Sequence, residues 1–447
     1  MPPCVRVLIL GAAAAAFAAG QNATGGVKVL TSGGEELTAS ERSANIESFE
    51  HVWQTVRDKH WDPKLNGLDW QAVHDELRPR IEAAKNAEAA RAVLSEMLDR
   101  LKQTHFGIFP GEVYHDLDSS TSPAEEPQSS DEAHPGIDLR FLDGHPIVTG
   151  VEPGSPAEGR GVKPGWEIVR IGKTDTAPLA ARISKEFKDS TLLELRLTRS
   201  ALSRLQGRTG SSVHVDFLDG AGRPVALDLN RAQPRGKQVR FGNLPVQYVW
   251  SEWRKPRPDV GYVRFNMFME PEGLAKTMEE AINGCRDCKG FVIDVRGNPG
   301  GIGGLAMGVA GWFIDQSGIQ LGTEYLRGLT IKFAIFPRAE PFRGPLAVLV
   351  DGDSASTAEI FAGGLKDVKR ARVFGTRTAG AALPSVIERL PNGDGFQYAI
   401  ANYISQGGKP LEGIGVIPDE EVRTSRQQLI EGKDPPLDAA MEWIRKQ

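Results

Sequence analysis

The sequence predicts a multidomain α+β protein, with an N-terminal helical domain and a β-rich middle module ahead of an α/β core. Three observations predict it. From Ser43 to Leu101 apolar residues recur at spacings of three and four, the period of helices that bury one face. Between 134 and 235, short apolar runs are broken by turn signals such as Pro153-Gly154 and Pro164-Gly165, the rhythm of short strands. From Val260 onward, continuous apolar runs such as Leu346–Val350 alternate with helical patterns, as expected for a sheet buried on both faces. A chain of 447 residues can build several separate cores.

In chain order, residues 1–20 fall outside the fold. Arg6 precedes an apolar, alanine-rich run from Val7 to Ala19 that ends in Ala16-Phe17-Ala18. This has the form of a secretory signal peptide and is too short to span a membrane as a helix. The expectation is an exported protein, periplasmic or secreted, with no stable membrane insertion. Residues 21–42, rich in Gly, Ser, Thr and Glu, read as a linker. The helical domain covers 43–112, with about three helices interrupted by loop chemistry at His60–Gly67, and it ends in Leu101-Lys-Gln-Thr-His105-Phe-Gly. Residues 113–133 are acidic, polar and proline-containing, a flexible linker by composition. The net charge is −5 and no basic cluster is present, which argues against nucleic acid as the main partner.

In the middle module, 134–235, Gly136–Arg140 and Pro146–Val151 read as strands, and Leu192–Leu197 and Val213–Leu229 are expected to continue the sheet. The core, 236–430, reads as a strand at Gly261–Phe265, a helix at Pro271–Ile282 and a buried strand at Gly290–Val295. The turn Arg296-Gly-Asn-Pro-Gly-Gly301 follows and leads into a helix reaching Phe313. Next come the strand Leu346–Val350 with its polar turn and helix, a short strand at Arg372–Gly375, and a hairpin of Val386–Leu390 with Phe396–Tyr403 around Asn392-Gly393. Residues 431–447 carry an amphipathic helix at Leu437–Ile444. Cys285 and Cys288 form a C-x-x-C pair. A redox pair, half a zinc site and a small disulfide all have this spacing; with no second pair nearby, a structural disulfide or two inert thiols is the favoured reading.

The chemistry concentrates at two strand–turn–helix junctions. Ser356 stands between the Leu346–Val350 strand and a helix, where unpaired N–H groups favour negative charge. Ser356-Thr-Ala-Glu359 also fits a capping box, and taken alone capping is the commoner role. Gly352-Asp-Ser-Ala-Ser is one glycine short of the G-x-S-x-G elbow. The Gly297-Asn-Pro-Gly-Gly301 turn lacks both the G-K-[ST] end of a P-loop and G-x-G-x-x-G spacing, but its backbone N–H groups suit an oxyanion. A lone histidine after a helix, such as His105, is more often a cap or a surface residue.

Taken together, Asp294-Val-Arg-Gly-Asn-Pro-Gly-Gly301, Asp351-Gly-Asp-Ser-Ala-Ser-Thr-Ala-Glu-Ile-Phe-Ala-Gly-Gly-Leu365, Val373-Phe-Gly-Thr-Arg-Thr-Ala-Gly380 and Leu411-Glu-Gly-Ile-Gly-Val-Ile-Pro-Asp419 resemble the C-terminal processing (tail-specific) serine peptidases and their tricorn-core relatives. Glu152-Pro-Gly-Ser-Pro-Ala through Ile171-Gly resembles a PDZ domain, with Trp166 where the pattern has aspartate. The resemblance implies a PDZ β-barrel-like domain over 134–235 and an α/β core of the ClpP/crotonase-like type. It implies Ser356 as nucleophile and the backbone N–H groups of Gly300 or Gly301 and Thr357 as oxyanion donors. Gly136 and Ile137 would sit in the loop that receives a peptide C-terminus. The lysine base of the processing peptidases would fall in Thr378–Ala382, which contains none. The tricorn-like arrangement instead implies His105 as base, with Glu412 orienting it through an intervening group. His60, His115 and His145 compete with His105, Glu359 and Glu388 compete with Glu412, and Lys366, Lys369 and Lys409 are the fallback bases. The implied function is an exported serine endopeptidase acting on unstructured or C-terminal segments of proteins, without cofactor or metal. The alternatives are an inactive peptide- or ligand-binding protein on the same fold and an acyl-thioester hydrolase.

Overall fold

A computed structural model of the chain describes residues 36–111 and 133–447. The expected signal segment, most of both linkers and His115 lie outside the described residues. The chain begins with α1 (Ala39–Lys59), opened by a Thr38–Glu41 capping box, then α2 (Trp70–Glu82) and α3 (Ala87–Asp99). Phe49, Val52, Leu77 and Leu94 form a core that also contains Leu383, Phe396 and Tyr398 from far down the chain. A short strand, β1 (Gly107–Phe109), pairs antiparallel with Gly395–Gln397. Buried Asp394 accepts from Arg91 Nε at 3.0 Å and from the Gly111 N–H at 2.7 Å. The helical segment therefore shares its core with the distal chain.

The middle module contains β2 (Ile137–Leu142), β3 (His145–Val151), α4 (Pro156–Gly159), β4 (Glu167–Ile171), β5 (Thr174–Asp175), α5 (Thr176–Glu186), α6 (Leu193–Leu205), β6 (Ser212–Leu218) and β7 (Pro224–Asn230). Its sheet runs β2-β3-β4-β6-β7, with β5 on β4, so β2 is an edge strand. Helix α6 packs beside β2. The expected strand at Leu192–Leu197 is a correction: Leu192 caps α6 and Leu193–Leu197 are its first residues. Over six residues, L-L-E-L-R-L imitates a period of two, but the buried face continues as Leu197, Ala201 and Leu205, a helical spacing that a longer window reveals.

The remainder starts with the hairpin β8 (Lys237–Val239) and β9 (Gln247–Val249), then β10 (Ser251–Arg257), β11 (Val260–Phe265), α7 (Pro271–Gly284), β12 (Gly290–Asp294) and α8 (Gly303–Ala310). It continues with β13 (Gln320–Leu326), β14 (Leu329–Ala334), β15 (Leu346–Val350), α9 (Thr357–Asp367), β16 (Arg372–Gly375), β17 (Ser385–Arg389), β18 (Gly395–Ala399), β19 (Ala401–Ser405), β20 (Glu420–Glu421), α10 (Arg426–Ile430) and α11 (Pro435–Lys446). A six-stranded sheet runs β10-β11-β12-β15-β16-β20, parallel except for β10. Helices α7, α8 and α9 contribute to the main core, and α11 covers Val292, Leu349 and Phe374. β12 and β15 are neighbours in register, Asp294 opposite Leu349, so the turns that follow them emerge side by side at the carboxyl ends, where such sheets place ligands.

The expected hairpin forms as β17 and β18, but the chain breaks at Ile400 and β19 pairs with β13 in a second sheet. Cys285 and Cys288 form a disulfide at the end of α7, with Cα atoms 5.0 Å apart.

Because Phe396 of β18 is fully buried against the helical segment, Phe396→Ala is expected to cost about 3–5 kcal/mol. Chemical denaturation measures this, and a loss below about 1 kcal/mol would show that the two parts do not share a core.

Candidate active site

Ser356 caps α9 directly after β15 with φ 58° and ψ −121°. A non-glycine residue in this region carries strain of roughly 1–3 kcal/mol, and it persists only where surroundings enforce it. The enforcing group is the buried carboxylate of Glu359. It accepts from the Ser356 N–H at 3.0 Å, Thr378 Oγ1 at 2.6 Å, the Gly380 N–H at 2.8 Å and the Ala381 N–H at 2.9 Å. The Ser356 N–H also reaches the Ala381 carbonyl at 2.8 Å. Burial pushes the Glu359 carboxyl up to about 7, while the four donors hold it down. The capping box legible in the sequence is thus present through its glutamate, and it fixes a strained elbow. The flanking Ala355 and Ala358 are small and fully buried.

The glycine turn after β12 is tied to this elbow. The Ala355 N–H donates to the Asn298 carbonyl, and the Gly297 N–H donates to Asp351 Oδ1 at 2.8 Å. Gly300 has φ +103°, and a Cβ there would lie 2.7 Å from Ser356 Cβ and 2.8 Å from the Thr357 nitrogen. At Gly301, with φ +140°, a Cβ would meet the Phe268 carbonyl at 2.2 Å. Neither position tolerates a side chain. The Gly300 N–H is itself engaged with Asn298 Oδ1 at 2.9 Å.

His105 follows α3 in a buried loop with φ +61°. Its Nδ1 lies 2.8 Å from Thr104 Oγ1, which lies 2.8 Å from Glu412 Oε2. Glu412 also accepts from the Thr104 N–H at 2.8 Å and the Ala382 N–H at 3.0 Å. Burial raises the Glu412 carboxyl, and these donors oppose it. Surrounded by donors, Glu412 takes the Thr104 hydroxyl proton, so Thr104 Oγ1 must accept from Nδ1–H. This tautomer leaves a lone pair on Nε2, which is buried and has no hydrogen-bond partner. Burial lowers the His105 pKa to about 3, so the ring is neutral at physiological pH. Nε2 is not hydrogen-bonded to the Ser356 hydroxyl in this arrangement.

The competing residues are engaged elsewhere. His60 bonds Gln103 and the Asp62 carbonyl, and exposed His145 pairs with Glu167 at 2.7 Å. Glu388 is held by Lys59 and Tyr398, and Lys366 by the Ile417 carbonyl and Asp419. Thr104 is the residue sequence reasoning did not name; only its place beside His105 hinted at it.

Residues 259–422 match the family model described as Peptidase family S41, and residues 45–99 match the Tricorn protease C1 domain. Residues 259–422 are thus a peptidase family S41 domain. The chain is a serine-type peptidase. Among its relatives, a carboxyl-terminal-processing protease of Synechocystis sp. is 25% identical over 403 residues, covering 88% of this chain and 85% of the relative. Chloroplastic carboxyl-terminal-processing peptidase 3 of Arabidopsis thaliana is 24% identical, covering 83% and 68%. The same fold occurs in the solved photosystem II D1 C-terminal processing protease, with TM-score 0.55, 20% identity and 91% and 97% coverage. It also occurs in mature CPAF complexed with lactacystin, with TM-score 0.58, 13% identity and 91% and 98% coverage.

Within the S41 domain the lysine-free segment Thr378–Ala382 has a structural task. Its backbone and Thr378 hydroxyl hold Glu359 on the Ser356 side, and its Ala382 N–H holds Glu412 on the His105 side. The middle module covers the site. Leu195 of α6 packs with Ala355, Ala379 and Ala381, and Arg140 of β2 reaches Asp351 at 2.8 Å and Asp353 at 3.0 Å. Ser356 is consequently 0% exposed.

Glu359→Gln would turn its amide NH₂ toward at least one backbone N–H, since Oε1 accepts from one and Oε2 from two. An unsatisfied buried polar group of this kind costs about 1–3 kcal/mol. The expected result is a denaturation midpoint lowered accordingly, with peptidase activity falling further than stability because the elbow relaxes. Unchanged stability would show that Glu359 is held as the neutral acid.

Proposed function

We propose that the chain is an exported serine endopeptidase cleaving unstructured or C-terminal segments of proteins through an acyl-enzyme on Ser356. The observation that carries this reading is the relay His105 Nδ1–H to Thr104 Oγ1 to Glu412, which leaves a neutral imidazole with its Nε2 lone pair uncommitted. Ser356 Oγ attacks the scissile carbonyl while its proton passes to His105 Nε2. The developing oxyanion is met by the N–H groups of Gly301 and Thr357, because the Gly300 N–H is spent on Asn298. The imidazolium returns the proton to the leaving amine, and water then repeats the sequence to release the acyl group. Thr104 and Glu412 position the ring and favour its charged form.

Residues 134–235 are read as a PDZ domain: β2 is an edge strand beside α6, and the segment before β2 supplies the carboxylate-binding loop. Gly136 has φ +84°, and its N–H bonds His134 Nδ1 at 3.0 Å. A peptide adding to β2 would end there, over Gly136 and Ile137. Export rests on the signal-peptide pattern of residues 1–20. Among the described residues, no helix is long and apolar enough to cross a membrane.

His105→Ala is expected to lower hydrolysis of an unstructured protein by roughly 10²–10⁴-fold. Cleavage at the wild-type rate, measured by gel or mass spectrometry, would refute the base assignment. A serine-reactive fluorophosphonate should label Ser356 in the native chain and not in Ser356→Ala.

The pH dependence has a definite sign. A base is lost when it is protonated, and burial lowers the His105 pKa to about 3, below the ordinary 6.5 or so. His105 should therefore contribute no fall in kcat/KM for a neutral peptide between pH 7 and 5, and a fall with a midpoint near 7 belongs to Glu359, whose carboxyl burial raises to about 7. An NMR titration of the His105 ring with a midpoint near 6.5 would show that it titrates as an exposed imidazole.

A further inference from the structure

A cavity of about 700 Å³ lies between β2 and α6 and continues to the catalytic turn, with Ile137, Leu202 and Leu205 at one end and Gly297 and Asp353 at the other. Its polarity along the groove follows from the fold. The C-terminal end of α6 lies beside the start of β2, because Gly207 bridges to Ala133. The apolar end is thus the end with the Gly136 loop. A tail whose C-terminus sits there adds antiparallel to β2, and its upstream residues run toward Ser356.

One cation lining this groove stands apart from the others. Arg140 is paired with Asp138 at 2.7 Å and with Asp353 at 3.0 Å. Arg235 is paired with Glu252 at 2.9 Å, and Arg296 with Asp294 and Asp434. Arg264 lies 3.7 Å from Asp138 and beside the Trp250 ring. Arg199, on α6, has a buried Nε with no hydrogen-bond partner and no ion pair among the described residues. The carboxylates nearest it are already engaged by Arg140. A desolvated guanidinium that must share its counter-charges with a second arginine is costly in a folded protein, and its planar fork fits a carboxylate.

We infer that Arg199 reads an acidic side chain two residues upstream of the C-terminal residue of a protein tail docked against β2. The inference rests on the PDZ reading above and specifies its substrate class. Alternate residues of an added strand face the same side, repeating about every 6.6 Å. If the last side chain fills the Ile137, Leu202 and Leu205 pocket, the residue two positions upstream faces α6 again about one turn earlier. That turn, at 1.5 Å per residue, carries Thr198 and Arg199. The neighbouring positions face away from α6 and are not discriminated.

The test uses the full chain with Ser356→Ala, so that peptides bind without being cleaved, and fluorescence anisotropy of labelled ten-residue peptides. Three peptides differ only at the tail: Glu at the third position from the end, Gln there, and the Glu peptide with an amidated C-terminus. The Glu peptide is expected to bind roughly tenfold tighter than the Gln peptide. Adding Arg199→Gln should erase that difference while leaving Gln-peptide affinity within about twofold. Equal binding of the Glu and Gln peptides, with the amide weaker, overturns the role of Arg199 and leaves the PDZ reading standing. Equal binding of acid and amide, or no binding by any peptide, overturns both. Circular dichroism of the double variant, expected to match that of Ser356→Ala, guards against a folding artefact; if Arg199→Gln unfolds the chain, Arg199→Lys should weaken the Glu preference while retaining the fold.

Discussion

The candidate site depends on one buried carboxylate. Glu359 sits beneath the Ser356 elbow and accepts four hydrogen bonds, three of them from the main chain. Each ties down a piece that would otherwise relax: the strained serine, the Thr378 loop, and the Gly380–Ala381 segment running beside the elbow. A carboxylate suits this task because it offers only acceptors and can gather N–H groups from several directions. The strain at φ 58° is then borne by a network that would lose several bonds at once if the serine adopted ordinary geometry.

A second constraint brings the imidazole to the serine side of the molecule. Ser356 and the glycine turn belong to neighbouring parallel strands, so the β12–β15 register positions them together. His105 arrives from another part of the chain altogether. It is held by β1 on β18, by Arg91 on Asp394, and by a hydrophobic cluster that includes residues from both segments. Segment 378–382 joins the two halves, with consecutive N–H groups of Ala381 and Ala382 donating to Glu359 and Glu412. Short alanines let the backbone come close enough to perform this linking role.

The sequence revealed the pieces that are local. The apolar run before Ser356, the glycine turn, the capping box and the periodic helices each depend on residues within one window. The relay through Thr104 was not legible, because it joins positions 104 and 412, and a threonine beside a histidine carries no signal of its own. The Leu192–Leu197 misreading has the same origin at shorter range: a window of six residues cannot distinguish alternation from a helix whose buried face appears only by Ala201 and Leu205. The break at Ile400 was equally hidden, since nothing in the run Phe396–Tyr403 says that its second half pairs with β13.

The two interfaces against the core differ in kind, and this bears on how a fully buried Ser356 can meet a polypeptide. The helical segment meets the core through large side chains, among them Phe49, Leu94, Phe396 and Tyr398. Separating them would expose apolar area at about 25 cal/mol per Å² and would carry His105 away. The middle module meets the catalytic turns through Leu195 on three alanines and through Arg140 on Asp351 and Asp353. A single leucine contributes about 1.5–3 kcal/mol on burial. On opening, the ion pairs exchange a partner for water rather than for nothing, so the net cost is far smaller than their bare Coulomb attraction. The helical interface is built like a protein interior, and the middle module's contact with these turns is built like a surface contact.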